Sequence, residues 1–230
     1  MNVSPPKTLR ALATDFDGTL AHNGTVSAAT LGAVRRLKDA GIRLILVTGR
    51  ELNDLSAIFP EIGYFDLAVM ENGAVLFNPA TGTIETLADP PPSAFVTRLN
   101  ELGLPLQIGK AIVATWEPHE KVVLQTIKDM GLELQVIFNK GAVMILPSGV
   151  NKATGMLAAL RQLDLEPSLV AGIGDAENDH AFLELCGYSV AVANALPAIR
   201  EKVACVTKGD HGDGVVELIE RMLANSEVAT

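Results

Sequence analysis

The sequence predicts an α/β fold: a doubly wound, Rossmann-like parallel sheet core with a smaller α/β domain inserted into it. Short apolar runs alternate with helical patterns at both ends of the chain, which is typical of parallel sheets built from βαβ units. Hydrophobic residues make up 48% of the chain and aromatic residues only 4%, which favours helices packed on a sheet over an aromatic-rich β-sandwich. Between the two ends, the turn-rich segment "FNPATGTIETLADPPPSAF" interrupts the alternation.

The first part of the core contains three predicted strands and two predicted helices. Apolar runs predict strands at 8–14, 43–48 and 66–70, and helical periodicity predicts helices at 27–40 and 51–59. Right-handed crossovers would place these strands side by side in parallel. Asn-Gly at 72–73, between two apolar runs, predicts a type I′ hairpin after the third strand.

The second part of the core repeats this alternation. The predicted order is helix 152–163, strand 168–173, helix 177–185, strand 188–192 and helix 214–224. We therefore assign residues 1–80 and 148–230 to one domain.

The insert, residues 81–147, has a different organisation. Its predicted elements are helix 93–102, strand 106–115, helix 118–130, strand 133–138, the turn 139–141 and strand 142–146. The last two strands form an antiparallel hairpin, so the insert is a small α/β layer.

Charge and hydropathy exclude several classes of partner. The chain has 18 Lys and Arg against 27 Asp and Glu, a formal net charge of −9, and its basic residues do not cluster. Nucleic acids and anionic membranes are therefore unfavourable partners. No apolar run approaches the about 18 residues that a membrane span requires, and the first residues lack a signal-peptide apolar region. We expect a cytoplasmic protein, a monomer or homodimer, with Cys186 and Cys205 as two unrelated buried thiols.

Polar residues follow three of the predicted core strands. These residues are Asp15 and Asp17 after the first strand, Thr48, Gly49 and Arg50 after the second, and Asp175, Asn178 and Asp179 after the strand at 168–173. Ligands of open α/β sheets bind at the carboxyl ends of the strands. Carboxylate oxygens there suit a hard divalent cation such as Mg²⁺. Each acid alone is better explained as a helix cap or a solvated turn residue, whereas the combination favours the metal.

Some polar residues have a structural explanation that competes with a functional one. Lys152 in the first turn of a helix opposes the helix dipole, which a bound anion would relieve, yet solvent-exposed lysines are common there. Thr48 can cap a helix or donate to a phosphate oxygen. For Lys140, on the turn of the insert, and for the four histidines, solvent exposure is the favoured interpretation.

Four motifs together carry a family resemblance. "DFDGT", "VTGR", "NKATG" and "GDAENDHAFL", in this order and with an insert between the second and third, resemble the motifs of the haloacid dehalogenase (HAD) superfamily. The position and size of the insert resemble the class IIB cap of the Cof-type phosphatases, a group that includes archaeal phosphoglycolate phosphatases and sucrose-phosphate phosphatases. "ENGA" at 71–74 is also similar to that subclass.

The resemblance implies a Mg²⁺-dependent phosphomonoesterase that hydrolyses a small phosphorylated metabolite, of the sugar phosphate or phosphoglycolate type. It implies that Asp15 is the nucleophile and forms an aspartyl-phosphate, and that Asp17 is the acid and then the base. The implied metal ligands are Asp15, the backbone carbonyl of Asp17, Asp175 and Asp179. The implied phosphate-binding residues are Thr48, Gly49 and Lys152. We further expect substrate contacts from Arg50, Asn72 and Asn178, with contact to the loop alone as the alternative for Asn178.

Three other functions remain compatible with parts of this pattern. A phosphosugar mutase of the same superfamily would use the same Asp15 and Asp17 but retain the phosphoryl group. A glycosyltransferase uses an Asp-x-Asp pair for metal without needing Thr48, Lys152 and Asp175. A phospho-receiver or another non-catalytic phosphate-binding regulatory module gathers similar residues, but such modules are about half this length and lack an inserted domain.

Overall fold

Two sheets and the helices packed on them make up the computed structural model, which describes residues 4–227. Within these residues the strands, in chain order, are β1 (Ala11–Asp15), β2 (Arg43–Val47), β3 (Leu67–Met70), β4 (Val75–Asn78), β5 (Thr83–Thr86), β6 (Gln107–Ile108), β7 (Val113–Trp116), β8 (Leu134–Asn139), β9 (Ala142–Pro147), β10 (Val170–Gly174), β11 (Tyr188–Ala191) and β12 (Cys205–Val206). The α-helices are α1 (Ala28–Asp39), α2 (Leu52–Ile58), α3 (Ser93–Glu101), α4 (Glu120–Asp129), α5 (Lys152–Leu163), α6 (His180–Leu185), α7 (Pro197–Arg200) and α8 (His211–Glu227).

The large sheet has eight strands in the order β12-β11-β10-β1-β2-β3-β4-β5. The six strands from β12 to β3 are parallel, and β4 and β5 continue the sheet antiparallel. From β1 the chain builds β2 and β3 on one side and returns later to build β10, β11 and β12 on the other. The carboxyl end of β1 therefore lies at the switch point of the topology, where open α/β sheets bind ligands. The predicted doubly wound core is confirmed.

The central strands β1, β3 and β10 are buried along their whole length because both faces of the sheet are covered, as in sheets with helices on both sides. Helix α1 packs against α8, and α5 packs against α6 and β3. One continuous hydrophobic cluster joins these layers.

The insert contains the second sheet, which is antiparallel, with the order β6-β7-β9-β8. Helices α3 and α4 pack on it around a separate cluster that includes Phe95, Leu99, Val123 and Ile145. On the side facing the core, Ala111, Ile112, Met144 and Leu146 join the large cluster instead. The insert thus has its own core and also packs onto the main domain.

The structure differs from the sequence prediction in the insert and at its boundary. The strand predicted at 106–115 is a hairpin of β6 and β7, because the Gly109 N–H donates to the Ile112 carbonyl and reverses the chain. Residues 83–86, which we assigned to the insert, form β5 and pair with β4 in the large sheet. Two short elements, α7 and β12, were not predicted, and α8 begins three residues earlier than expected.

The connection between β3 and β4 is also wider than the predicted two-residue turn. Met70 pairs with Val75, so four residues connect the strands. Glu71 and Asn72 both adopt positive φ angles, 51° and 54°, and this turn brings both side chains into the interior.

Two smaller expectations can be compared with residues 4–227. Cys186 and Cys205 do not form a disulfide; Cys205 is buried as expected, whereas Cys186 is half-buried. Within this described part of the chain, the helices are too short or too polar to cross a bilayer.

Candidate active site

The loop after β1 places two carboxylates at the carboxyl edge of the sheet. Asp15 is the last residue of β1, and Asp17 follows two positions later. Phe16 between them is buried, and its ring lies 5.2 Å from that of Phe59. Anchoring this ring in the core turns Asp15 and Asp17 toward the cleft between the main domain and the insert.

Lys152 is the cation closest to Asp15. It is the first residue of α5, whose N-cap is Asn151, and its side chain is only 2% exposed. Its Nζ lies 2.6 Å from Asp15 Oδ1 and 2.6 Å from Asp179 Oδ1. The solvent-exposed interpretation of this lysine is therefore wrong.

Asp175 and Asp179 complete a cluster of three buried carboxylates. Asp179 Oδ2 accepts hydrogen bonds from the backbone N–H groups of Asp175 and Ala176, at 2.8 and 2.9 Å. Thr19 Oγ1 donates to Asp175 Oδ1 at 3.0 Å. One carboxylate oxygen from each of Asp15, Asp175 and Asp179 lies within 4.8 Å of the others.

The electrostatics of this cluster are governed by burial. Desolvation raises the pKa of Asp15 well above its usual value, and the nearby Asp179 and Asp175 raise it further, against the opposing effect of Lys152. Burial alone would lower the pKa of Lys152, but Asp15 and Asp179 outweigh it and hold that pKa above its ordinary value. Three carboxyl groups at such short range repel one another when ionised, so additional positive charge would stabilise their ionised forms.

The donor set fits a divalent cation. Mg²⁺ takes oxygen ligands at about 2.0–2.1 Å and is bound by carboxylates together with water and substrate oxygens. The carboxylates of Asp15, Asp175 and Asp179 offer such oxygens at one point. The backbone carbonyl of Asp17 and Asp175 Oδ2 share one ammonium donor, Lys140 Nζ, at 2.8 and 2.9 Å, so these two oxygens also converge.

The segment after β2 supplies a hydroxyl and a guanidinium. Thr48 is fully buried, and its Oγ1 accepts the Arg50 N–H at 3.1 Å. Arg50 donates to both carboxylate oxygens of Asp17, at 2.7 and 2.8 Å, and also to Asp54. A Cβ at Gly49 would lie 3.2 Å from the Asn72 amide, so a glycine allows the two segments to meet.

Asn72 and Asn178 form a hydrogen-bonded pair beside this segment. Asn178 Nδ2 donates to Asn72 Oδ1 at 3.0 Å, and Asn72 Nδ2 contacts Met144 Sδ of the insert at 2.9 Å. Asn178 Oδ1 is buried and has no hydrogen-bond partner among residues 4–227. The structure thus connects Asn72 to Asn178 and to the insert, in addition to its place in a turn, but Asn72 is fully buried.

A cleft of about 250 Å³ separates the main domain from the insert. The main domain contributes two further acids to its wall, Glu51 and Asp54, and the insert contributes Gln107, Trp116 and Asn139. Burial, followed by the nearby Glu71, raises the pKa of Glu51. Sequence reasoning did not single out these two acids, because neither directly ends a strand.

Glu71 joins the main domain to the insert, a role that the sequence analysis did not predict. Its carboxylate accepts three backbone N–H groups of the insert, those of residues 110–112, at 2.8 to 3.0 Å. Only the "ENGA" phrase offered a sequence signal for this residue.

Two residues that we expected at the surface also make contacts near the site: the Lys140 side chain is 51% exposed, as expected, and His211 is half-buried. Lys140 reaches Asp175 from the turn of the insert. His211, expected to be a surface residue, contacts the Gly18 carbonyl through Nδ1 at 2.8 Å. Both contacts join segments that are far apart in the chain, so local pattern gave no sign of them.

Comparison with known proteins identifies a family that matches most of the chain. The family model of the haloacid dehalogenase-like hydrolases matches residues 12–90 and 107–219. A phosphoglycolate phosphatase of Methanothermobacter thermautotrophicus is 31% identical over 225 residues, which cover 94% of this chain and 99% of the relative. Phosphoglycolate phosphatase 2 of Saccharolobus solfataricus is 29% identical and covers 94% of this chain and 93% of its own.

Solved structures share the fold at low sequence identity. A Thermoplasma acidophilum protein superposes with a TM-score of 0.81 at 18% identity, covering 94% of this chain and 98% of its own. A sugar phosphatase of HAD subclass IIB has a TM-score of 0.74 at 18% identity and covers 92% of this chain and 98% of its own. Both similarities span the main domain and the insert.

Proposed function

The chain belongs to the haloacid dehalogenase-like hydrolases, and from this premise we propose that it is a Mg²⁺-dependent phosphomonoesterase for a small phosphorylated metabolite. The observation that carries the proposal is the position of Asp15. It ends the central strand at the switch point, lines the cleft, and is held by the buried ammonium of Lys152. A carboxylate held in this way is suited to nucleophilic attack on phosphorus.

The first step transfers the phosphoryl group to Asp15. A carboxylate oxygen of Asp15 forms a bond to phosphorus, and the bond between phosphorus and the ester oxygen breaks. The leaving oxygen takes a proton from Asp17, which acts as general acid. In the second step Asp17 accepts a proton from water, whose oxygen attacks phosphorus, and the bond to Asp15 breaks to release inorganic phosphate.

Arg50 has to release Asp17 during this cycle. In the structure Arg50 pairs with both oxygens of Asp17, so both oxygens are occupied. The guanidinium also contacts Asp54, so it keeps one carboxylate partner when Asp17 turns toward the leaving group. We propose that Arg50 contacts the substrate and alternates between these partners.

The phosphoryl oxygens would be bound by residues that surround Asp15. Lys152 supplies positive charge, and Thr48 with the backbone of Gly49 supplies neutral hydrogen-bond donors. The Asn72–Asn178 pair lies behind Gly49, and we propose that its amide groups contact the substrate when it is bound.

Mg²⁺ would be held by the carboxylates of Asp15, Asp175 and Asp179 and by the backbone carbonyl of Asp17. When bound, it supplies positive charge that stabilises the transferring phosphoryl group. Independently of the ion, Thr19 orients the carboxylate of Asp175. The backbone N–H groups of Asp175 and Ala176 orient that of Asp179.

The insert would act as the cap that selects the substrate. Its residues Gln107, Trp116 and Asn139 face Asp15 across the cleft. The similar proteins named above are phosphoglycolate phosphatases and a sugar phosphatase. Both kinds of substrate, a sugar phosphate or phosphoglycolate, are small enough to occupy about 250 Å³.

The proposal is tested by measuring phosphate release from a panel of sugar phosphates, phosphoglycolate and nucleotides, with Mg²⁺ and with a chelator. We expect release from at least one small ester, its loss with the chelator, and a loss of at least about 10³-fold in Asp15→Asn. Asp39→Asn, at the exposed end of α1, makes the same charge change and should be unaffected. Equal release by Asp15→Asn and the parent protein would contradict the proposal, and transfer of phosphate between two sugars would indicate a mutase instead.

A further inference from the structure

Lys140 occupies an unusual position on the cap. It lies with Gly141 in the two-residue turn between β8 and β9, since Asn139 pairs with Ala142. Both turn residues adopt positive φ angles, 49° and 85°. Asn, Asp and Gly favour such positions, whereas a longer side chain there is strained. This turn places a lysine at the tip of the cap, with its side chain directed toward the main domain.

The ammonium of Lys140 contacts two oxygens of the main domain. Its Nζ lies 2.8 Å from the Asp17 carbonyl and 2.9 Å from Asp175 Oδ2. The Asp175 side chain is 5% exposed, whereas that of Lys140 is 51% exposed. The lysine therefore enters the site from the solvent side and binds a buried carboxylate only through the end of its chain.

These two oxygens belong to the ligand set of the divalent cation under the proposed function. A cation bound to both would lie close to the position of Lys140 Nζ, and like charges at such a separation repel strongly. We propose that Lys140 is a competitor for the cation site: it ties the cap to the main domain in the metal-free protein, and the divalent cation displaces it. This inference rests on the proposed function, because it assumes the metal.

The contrast with Lys152 indicates which lysine is displaced. Lys152 is 2% exposed and contacts Asp15 and Asp179, so its charge has no route to solvent. Lys140 is half-exposed and can return its ammonium to water at little cost. Of the two lysines, Lys152 is therefore fixed and Lys140 is exchangeable.

The chain contains a natural reporter of this exchange. Trp116 is its single tryptophan, lies on the cleft wall with 45% exposure, and pairs with Ala142, two residues from Lys140. A movement of the cap tip should change the surroundings of this indole and hence its fluorescence.

The experiment compares the parent protein with Lys140→Met, which keeps the apolar part of the side chain but lacks the ammonium. Mn²⁺ binding is measured by the loss of the free-ion electron paramagnetic resonance signal, without substrate. We expect Lys140→Met to bind Mn²⁺ about fivefold more tightly or better, the range of typical coupling between linked equilibria. Lys128→Met, an exposed lysine on α4 of the cap, makes the same charge change and should bind like the parent.

Tryptophan fluorescence with Mg²⁺ provides the second readout. We expect Mg²⁺ to change the Trp116 emission of the parent, and metal-free Lys140→Met to resemble the Mg²⁺-loaded parent with little further change. Equal Mn²⁺ affinity in parent and variant, weaker binding by the variant, or identical fluorescence responses would overturn the inference while leaving the proposed metal site intact. If the parent itself binds no Mn²⁺, both the inference and the metal dependence of the proposed function are wrong.

Discussion

Lys152 Nζ lies 2.6 Å from Asp15 Oδ1, and both side chains are almost completely buried. This ion pair joins the first residue of α5 to the last residue of β1, which are 137 positions apart in the chain. A buried charge is costly unless it is paired, so each member depends on the other for its place in the interior. The orientation of the proposed nucleophile is thus set by a residue beyond the inserted domain.

Replacing Lys152 by Met should destabilise the protein and abolish most phosphate release. The change leaves Asp15 and Asp179 buried without their cation, and breaking such a pair costs about 3–5 kcal/mol of unfolding free energy. Urea denaturation followed by circular dichroism measures this loss.

Lys121→Met is the matched control for this prediction. Lys121 also lies in the first turn of a helix, α4, but it is exposed. Its replacement should change the unfolding free energy by less than about 0.5 kcal/mol. Similar losses in both variants would show that the Asp15–Lys152 pair has no special role.

The residues that directly follow strands were predictable from the sequence. Apolar runs mark the strands, the chain alternation makes them parallel, and parallel strands end at one edge. Asp15, Thr48 and Asp175 were therefore expected to be neighbours from the sequence alone. The sequence did not predict the ion pair between Asp15 and Lys152, because burial of Lys152 depends on how α5 packs against the sheet.

Residues that act across the two domains were not predictable. The contact of Lys140 with Asp175 requires the cap to lie over the main domain, and local pattern carries no information about that placement. Glu71 binds the backbone of 110–112, and backbone donors leave no trace in side-chain identity. The β6–β7 hairpin was missed for a different reason: the residues on both sides of its turn are mostly apolar and were therefore predicted as one continuous strand.

Glu71→Gln should loosen the connection between the cap and the main domain. One amide nitrogen would replace an oxygen that now accepts a backbone N–H, leaving at least one buried donor unpaired at a cost of about 1–3 kcal/mol. We expect a lower urea midpoint and a raised KM for the best substrate. Glu133→Gln, at an exposed position of the cap, should leave both quantities unchanged, and equal effects at the two sites would contradict the assigned role.

Stability should decrease at high pH through Cys186. Burial raises the pKa of its thiol to about 12, whereas an unfolded thiol has a pKa of about 8.5. Above that value the unfolded chain releases a proton that the folded protein retains, so the unfolding free energy falls by about 1.4 kcal/mol per pH unit. Below about pH 8 both states keep the proton and this contribution is constant.

Cys186→Ala removes this titration and provides the reference. Urea denaturation of both proteins at about pH 7.5 and about pH 10 should show the parent losing about 2 kcal/mol more than the variant. A difference between the two proteins that is independent of pH would contradict the prediction.

Gly18→Ala should disturb the proposed metal site more than it disturbs the fold. Gly18 has a φ of 92°, and a Cβ there would lie 2.3 Å from Lys140 Nζ and 2.5 Å from Asp175 Oδ2. The half-exposed Lys140 can move away, but Asp175 is buried and hydrogen-bonded to Thr19, so its carboxylate has to shift.

Gly41→Ala is the matched control, because Gly41 has a φ of 82° and an added Cβ there would have nothing within 4 Å. Both variants should lose about 1–2 kcal/mol of stability from the positive φ, but only Gly18→Ala should weaken Mn²⁺ binding, by about tenfold or more, since one ligand is displaced. Equal Mn²⁺ affinity in the two variants would contradict this prediction.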